Sequence, residues 1–505
     1  MYSPKPLGVL LILSGVALGS QALAQSAAST DNSAAPTGSS QSLLLGAAEQ
    51  GSGAGSSTVA PVDPNAPVSR ADVDALQKQI DDMKSKMGKS GTAGWNGEHF
   101  YLKSSDGQFT LMPTGQLIGQ WAYYDNNDYG APPNTFSIRA ARFGFIGNYG
   151  DQLDFGLSFD TVSSPIVRDA YLLWKNSREV QVEAGQFKVP FSMEVGTADT
   201  AIEFYNRSPI SAMYPDASGG NRAPGISVLG EIAKGFMDYH VGLFDGQGIL
   251  TTATTNEPEI VGRLRFTPWK STDIYALKGL AFGGSLEHSR SKGLANEQSF
   301  SGAMNDGTYT FFPQFRINGN VNRYDLFASY LLGPLGLRAE YMHLSQARDA
   351  VGPFGTGGGV GFNSQEPVVG KGFYLSAVYF LTGEDDPLNA VPRVKHPFVG
   401  PGSPGESGAP GWGAWALKFR YSKWDGSEPG STCDANTIPA CPLTPTVNPT
   451  FNDTTDQFAF GFNWYWNYWV VLKTDVNIDR LKDVSVQGIN PHNYTVVLET
   501  LQYRF

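Results

Sequence analysis

Arginines recur on strand-like segments whose alternate positions are apolar. Arg142 opens the run Arg-Phe-Gly-Phe, so an extended chain would point its guanidinium away from the two aromatic rings. Arg263 and Arg265 are separated by one leucine and share one face in the same way. A guanidinium keeps its charge at physiological pH and binds carboxylate or phosphate oxygens in pairs. A face lined by such residues is therefore a candidate path for anions.

Three further cations join these candidates. Arg139 has the opposite parity to Arg142, so it reaches the same face only near a strand end or across a β-bulge. Lys188 precedes a long connection, residues 189–224, which contains Arg207 and could fold inward to narrow an opening. The candidates for an anion path are Arg139, Arg142, Arg207, Arg263 and Arg265, with Lys188 at the start of the loop.

Acidic side chains share the inward parity with further basic ones, so the face is not purely cationic. The basic group comprises Lys175, Arg338, Lys418, Arg420 and Lys473, and the acidic group comprises Asp154, Asp160, Asp169, Glu183, Glu340 and Asp475. The alternative interpretation is a hydrated wall in which acidic and basic side chains balance and which therefore has little ion selectivity.

Motifs for other chemistry are missing from the sequence. The six histidines are scattered without the i, i+4 spacing of a helical metal site, and there is neither a nucleophile elbow nor a phosphate-binding loop. We therefore expect no cofactor and no metal. Cys433 and Cys441 are the only cysteines, and in an exported protein so close a pair is expected to form a disulfide in a surface loop.

A period of two dominates the chain after about residue 94. The closing segment, residues 496–505, puts Tyr503, Leu501, Glu499 and Val497 on one face and polar side chains on the other, and it ends on Phe505. Such segments have about the ten residues that a tilted strand needs to cross a bilayer. The pattern predicts an all-β fold, a transmembrane antiparallel β-barrel over residues 95–505. Glu499 falls on the lipid face, so we expect it near an interface or under a neighbouring subunit.

Composition agrees with a barrel. Charged residues make up 16% of the chain and aromatic residues 12%, whereas a soluble protein carries about 25% charge. The formal net charge of −11, without a basic stripe, argues against a nucleic-acid partner.

The N-terminal region divides into three predicted segments. Residues 1–24 have the charged start, apolar run and Ala-Leu-Ala end of a secretory signal peptide. Residues 25–68 are rich in Ser, Ala, Gly and Pro and predict a flexible tether. Residues 69–90 carry apolar positions at spacings of three and four, which predicts a short periplasmic coiled-coil helix; a single amphipathic helix is the alternative.

Connection lengths differ along the predicted barrel. Residues 333–336 form a tight turn of the periplasmic kind, whereas the Pro- and Gly-rich stretches 389–410 and 428–450 have the length of surface loops.

Several segments, in order, resemble the phosphate-selective porin O/P family. They are Asp169-Ala170-Tyr171-Leu172-Leu173-Trp174, residues 182–192, residues 202–208, Gly372-Phe373-Tyr374, residues 380–384, Gly413-Ala414-Trp415, residues 462–465 and the closing residues 501–505. The resemblance extends over roughly residues 97–505.

The resemblance implies a sixteen-stranded barrel, a homotrimer, a third loop folded inward and an arginine ladder for anions. Arg139 matches one of the family's paired arginines, but Ala140 stands where the other belongs. Arg207 matches the loop arginine. Val195, Ala198 and Asp199 stand where phosphate-binding members have lysines, which argues against phosphate specificity.

These observations predict an outer-membrane porin of a Gram-negative bacterium, in contact with membrane lipid. It would pass small hydrophilic solutes passively, anions first, with phosphate and polyphosphate among the candidates. A general or sugar-type pore is the second hypothesis. A barrel enzyme is the third, and it requires a serine and a histidine at hydrogen-bonding distance.

Overall fold

The computed structural model describes twelve stretches of the chain. They are residues 70–87, 91–125, 133–162, 166–213, 221–245, 255–291, 299–303, 310–348, 367–404, 408–428, 451–482 and 493–505. The chain divides into two units, Met1–Val73 and Asp74–Phe505. The predicted signal peptide (1–24), the tether (25–68) and the cysteines Cys433 and Cys441 lie outside the described residues.

Helices are few and short. Helix α1 spans Arg70–Met87, inside the segment predicted to be helical, and two single-turn helices follow, α2 at Met193–Gly196 and α3 at Tyr275–Lys278. A 3-10 helix spans Pro209–Met213. None of the described helices has the length and apolar character that crossing a membrane requires. Val73, Leu76 and Ile80 of α1 expose their apolar side chains, so this helix has an uncovered apolar stripe.

Strands make up most of the described chain. They are β1 Thr92–Trp95, β2 Phe100–Lys103, β3 Phe109–Tyr124, β4 Thr135–Tyr149, β5 Leu153–Asp160, β6 Val167–Lys175, β7 Gln181–Lys188, β8 Arg222–Ile232, β9 Met237–Phe244, β10 Glu259–Phe266, β11 Leu280–Ser291, β12 Ser299–Ala303, β13 Thr310–Leu332, β14 Leu335–Arg348, β15 Val368–Phe380, β16 Ala414–Glu428, β17 Phe451–Tyr465, β18 Val470–Lys482 and β19 Asn493–Arg504.

Sixteen of these strands close into an antiparallel barrel. Strands β3–β11 and β13–β19 pair with their neighbours in order, and β19 returns to pair with β3, from Val496 opposite Tyr124 to Arg504 opposite Gln116. The hairpin β1–β2 extends the sheet beside β3, and β12 pairs with β13. Closure pairs both edges of each of the sixteen barrel strands, so none of them presents an open edge to hydrocarbon, which could not satisfy it. The predicted fold class and strand number are confirmed.

Alternation along each strand separates the two faces of the wall. On β16, Leu417 and Phe419 are 50% and 47% exposed, whereas Lys418 and Arg420 between them are 4% and 1% exposed. This is the reverse of a soluble protein, because the apolar face points outward and the charged face inward. A cation on the outer face at mid-membrane would cost about 2–4 kcal/mol, so the parity of Lys418 and Arg420 is strongly determined.

The C-terminal residue sits against a glycine notch. The backbone N–H of Gly115 donates to the carbonyl of Phe505 at 2.9 Å, and the N–H of Phe505 donates back at 3.0 Å. A Cβ on Gly115 would overlap the Phe505 ring, so this glycine lets the terminal aromatic close the barrel.

Gly115→Leu is therefore expected to reduce barrel assembly, because overpacking costs about 1–3 kcal/mol and displaces the terminal ring. The fraction of unboiled protein that migrates as a folded band in SDS gels measures this. Gly119→Leu is the matched control, since nothing lies within 4 Å of its added Cβ. Equal folded fractions for the two variants would contradict the claim that Gly115 makes room for the Phe505 ring.

The stretch 389–410, which was predicted to be a surface loop, lies at the same end of the barrel as the tight turn 333–336. The connection 381–413, which contains the stretch 389–410, begins beside the tight turn, where the N–H of Asp386 donates to the carbonyl of Gly333 at 2.8 Å. Its Val391 and Val394 pack against Val378 of the wall. The prediction was wrong because loop length says nothing about which end of a barrel a connection occupies.

Candidate functional site

The connection between β7 and β8 folds inside the barrel and crosses it. We call its described part, residues 189–213, the inner loop. Its helix α2 begins against the wall, where the carboxylate of Glu340 accepts the N–H groups of Met193 and Glu194 at 2.9 and 3.0 Å. Arg420 of β16 pairs with the carboxylate of Glu194 at 3.0 Å. The predicted inward-folded loop is thus fastened to strands far from its own.

Further cations of β16 and β18 hold the middle of the inner loop. Lys418 donates to the carbonyl of Glu203 at 3.0 Å, and Lys473 donates to the carbonyl of Ile202 at 2.7 Å. Asp475 accepts the N–H of Tyr205 at 2.8 Å. These inward charges therefore serve the loop rather than a solute.

The underside of the inner loop is apolar and fills one side of the bore. Phe191, Met193, Val195 and Ile210 join one cluster with wall side chains, Trp424 among them, and all of these are buried. A group of charged side chains lies instead along β4–β8, beside residues 196–207, which we call the far end of the inner loop. That side is the candidate path.

Arg142 and Arg207, both predicted, meet at one carboxylate on that path. Arg142 pairs with Asp160 at 2.7 Å and with Asp199 of the inner loop at 2.5 Å, and Arg207 pairs with Asp199 at 2.9 Å. Burial alone would raise the pKa of Asp199, but the guanidinium groups of Arg207 and Arg142 hold it well below its usual range. Asp199 thus stays ionised and ties the loop to the wall.

Arg139 reaches the path through a β-bulge. The pairing of β3 with β4 skips this residue, because Ile118 faces Ala140 while Gly119 faces Ile138. The Arg139 guanidinium carbon lies 5.7 Å from the ring centre of Tyr205 on the inner loop. Of the two positions that the sequence allowed for Arg139, the rim and the bulge, the structure has the bulge.

The remaining predicted cations are bound in other ways. Lys188 donates to the carbonyls of Gly196 and Thr197 at 3.3 and 2.8 Å. Arg263 lies over the ring of Phe327 at 5.1 Å, and Arg265 pairs with Asp238 at 3.1 Å. The six candidates therefore do not form one cluster: Arg139, Arg142, Arg207 and Lys188 converge on the inner loop, while Arg263 and Arg265 lie on β10.

Two arginines of the path were missing from the predicted set. Arg222, at the start of β8, pairs with Asp169 at 2.6 Å. Arg168 sits on β6 with the outward parity of Leu172 and Trp174, yet it is only 5% exposed. The register of β5 with β6 shifts at this residue, so a second bulge turns it inward. An arginine at a lipid-facing position was the signal in the sequence that could have identified this bulge.

One serine and one histidine do lie side by side. Ser227 Oγ is 2.8 Å from His240 Nε2 on the neighbouring strand, and the imidazole stacks on Phe187. Among the described residues no carboxylate orients the other ring nitrogen, and Arg263 is the charged group nearby. A base needs a group that stabilises its protonated form, so this pair lacks the third member of a hydrolase site. The described residues also contain no cluster of His, Cys, Asp and Glu that could hold a metal ion.

Comparison with known proteins gives one family match. A family model described as phosphate-selective porin O and P matches residues 116–505, which runs from β3 to the terminal Phe505. No curated protein matches the chain.

Several solved structures are similar in fold. OmpT of Vibrio cholerae is 11% identical with a TM-score of 0.47, over 79% of this chain and 98% of that one. DcaP of Acinetobacter baumannii is 13% identical with a TM-score of 0.45, over 80% and 99%. An anion-selective porin from Comamonas acidovorans is 13% identical with a TM-score of 0.44, over 79% and 100%.

Proposed function

Since the chain belongs to the phosphate-selective porin O and P family and is an outer-membrane porin rather than an enzyme, we propose that it passes small anions by passive diffusion. One observation carries the proposal. Beside the far end of the inner loop, six cations face three carboxylates. They are Arg139, Arg142, Arg168, Arg207, Arg222 and Lys188 against Asp160, Asp169 and Asp199. The low-dielectric wall focuses this positive field into the water-filled path.

The inner loop argues against tight phosphate binding. It presents Val195, Ala198 and Asp199 where phosphate-binding members of the family carry lysines, and Asp199 neutralises part of Arg142 and Arg207. We therefore propose a preference for anions as a class, with phosphate as one of several solutes.

Ion substitution in planar bilayers tests this proposal. Replacing chloride with gluconate at constant potassium should lower the single-channel conductance several-fold, while replacing potassium with lithium should change it little. A conductance that follows the cation instead would overturn the anion proposal. Equal sensitivity to both ions would favour the general pore, for which the paired Arg142–Asp160 and Lys175–Asp154 charges are the supporting observation.

We also propose a homotrimer whose contact includes β19. Glu499 lies on the outer face between Val497 and Leu501, and its carboxylate accepts a hydrogen bond from Thr474 at 2.8 Å. A carboxylate in mid-wall is unfavourable against hydrocarbon, so a neighbouring subunit is the better cover.

Glu499→Leu is expected to weaken the trimer, because it removes the polar contact from the covered face. The temperature at which the trimer dissociates in SDS gels should fall by about 2–4 °C, as a loss of about 1 kcal/mol would give in a large chain. Leu501→Ala on the same face serves to measure the effect of lost apolar area alone. A more stable Glu499→Leu trimer would mean that this face meets lipid.

For the regions outside the barrel we propose export by the signal peptide 1–24, a tether over 25–68 and a periplasmic coiled coil over 69–90. An N-terminus at Gln25 in the mature protein would support the first.

We further propose a disulfide between Cys433 and Cys441. Labelling of both thiols without prior reduction would contradict it.

A further inference from the structure

We propose that Arg168 is the residue that binds a carboxylate group of the passing solute, a role that rests on the proposed anion function. Three neighbouring arginines each hold an aspartate of this chain: Arg142 holds Asp160, Arg207 holds Asp199 and Arg222 holds Asp169. Among the residues that the structure describes, Arg168 has no such partner. A small carboxylate-bearing solute takes the place beside it that an aspartate occupies beside the others.

The bulge in β6 gives Arg168 its position. Ser158 of β5 faces Asp169 and Phe159 faces Val167, so Arg168 is left out of the ladder. Gln186 then fastens the bulged backbone, because its side-chain amide donates to the carbonyls of Val167 and Arg168 at 3.0 and 2.9 Å. The bulge is a fixed feature of the wall, and it determines where the Arg168 side chain leaves the backbone.

The charge around Arg168 favours an incoming anion. Among the described residues its guanidinium makes no ion pair, and its Nε atom is buried without a hydrogen-bond partner. Arg222 and Arg142 act on its charge more strongly than Asp199 and Asp160 do. A buried guanidinium among other cations is costly until an anion reaches it, and a planar fork of N–H donors fits the two oxygens of a carboxylate.

Arg263 shows why burial without an ion pair is not sufficient. It also lacks an ion pair among the described residues, but its guanidinium lies over Phe327, and the acids Asp325 and Glu340 are its main charged neighbours. Those acids already compensate its charge, so it offers an anion little. The difference between Arg168 and Arg263 lies in the sign of what surrounds them.

This assignment moves anion binding from the loop to the wall. The inner loop carries Val195, Ala198 and Asp199 at the positions where lysines would bind an anion. Asp199 itself pairs with Arg142 and Arg207. The bulges of β4 and β6 place Arg139 and Arg168 along the same path instead.

Block of the chloride current by acetate, in bilayers holding the full-length protein, tests the proposal. Acetate should reduce the wild-type current at a saturable site. Arg168→Gln should raise the half-blocking concentration about tenfold or more, because a charge-assisted pair of hydrogen bonds is lost. Arg168→Lys, which keeps the charge but not the fork, should lie between. The matched control is Arg480→Gln, on the outer face over Phe458. Its half-blocking concentration of acetate should equal that of the wild type.

The outcomes separate this proposal from the proposed function. Suppose that the wild-type pore is anion-selective and that Arg168→Gln and Arg168→Lys both keep its half-blocking concentration of acetate. The binding role of Arg168 is then overturned, while the anion function stands. If the wild type itself prefers cations, the function fails. Should Arg168→Gln not assemble, Arg168→Lys decides, since an unchanged half-blocking concentration there excludes the fork.

Discussion

Replacing Glu194 with alanine is expected to release the inner loop and to raise the single-channel conductance several-fold. Glu194 lies at the start of α2, fully inside the barrel, where its carboxylate pairs with Arg420 and accepts from the N–H of Ser208 at 2.9 Å. The substitution would leave Arg420 buried without its carboxylate and Ser208 without its acceptor. Breaking a buried ion pair from one side costs about 3–5 kcal/mol.

The loop has enough contacts elsewhere to show a graded response. Glu194→Gln keeps a side-chain acceptor for Ser208 and loses only the charge, so its conductance should lie between those of wild type and Glu194→Ala. Glu179→Ala, in an exposed turn, is the control for losing a carboxylate. If Glu194→Ala has the conductance of the wild type and the same open-channel current noise, the loop does not define the narrow part of the pore.

Reversing the charge of Arg139 and Arg207 together is expected to turn the pore from anion-preferring to cation-preferring. The six cations and three carboxylates along the path would become four cations and five carboxylates. Both side chains lie beside the far end of the inner loop, Arg139 near Tyr205 and Arg207 on Asp199. Because selectivity in a narrow pore follows the sign of its lining charge, the zero-current potential should change sign.

The control for that variant changes the same total charge outside the pore. Lys371→Glu with Arg480→Glu alters two cations on outward positions of β15 and β18, Lys371 opposite Asp425 and Arg480 over Phe458. This pair should leave selectivity unchanged at 1 M salt, where fields extend only about 3 Å. A shift of equal size in both variants would mean that surface charge, and not the path, determines selectivity.

Much of the architecture was predictable because a membrane wall enforces a strict period. Arg142 beside Phe143, and Lys418 between Leu417 and Phe419, could point only one way, and the structure has these orientations. The terminal strand β19 has the alternation that the sequence predicted, and it closes the barrel by pairing with β3. In these cases the cost of a misplaced charge in lipid outweighs every local preference.

The rest depended on contacts that alternation does not encode. Lys418, Arg420 and Lys473 have the predicted inward parity, but only the folded inner loop shows that they bind its carbonyls and Glu194. Arg168 escaped because a single bulge reverses the parity of a residue without any turn signal in the sequence. The stretch 389–410 was predicted at the wrong end because its length and proline content are compatible with either end.

The zero-current potential of the reconstituted wild-type protein tests the central claim most directly. Across a tenfold gradient of potassium chloride, the proposed path predicts a potential with the sign of an anion-selective pore, approaching the ideal value as salt is lowered and screening weakens. A potential near zero at all salt concentrations, or one with the opposite sign, would contradict the claim that the arginines along β4–β8 select the solute.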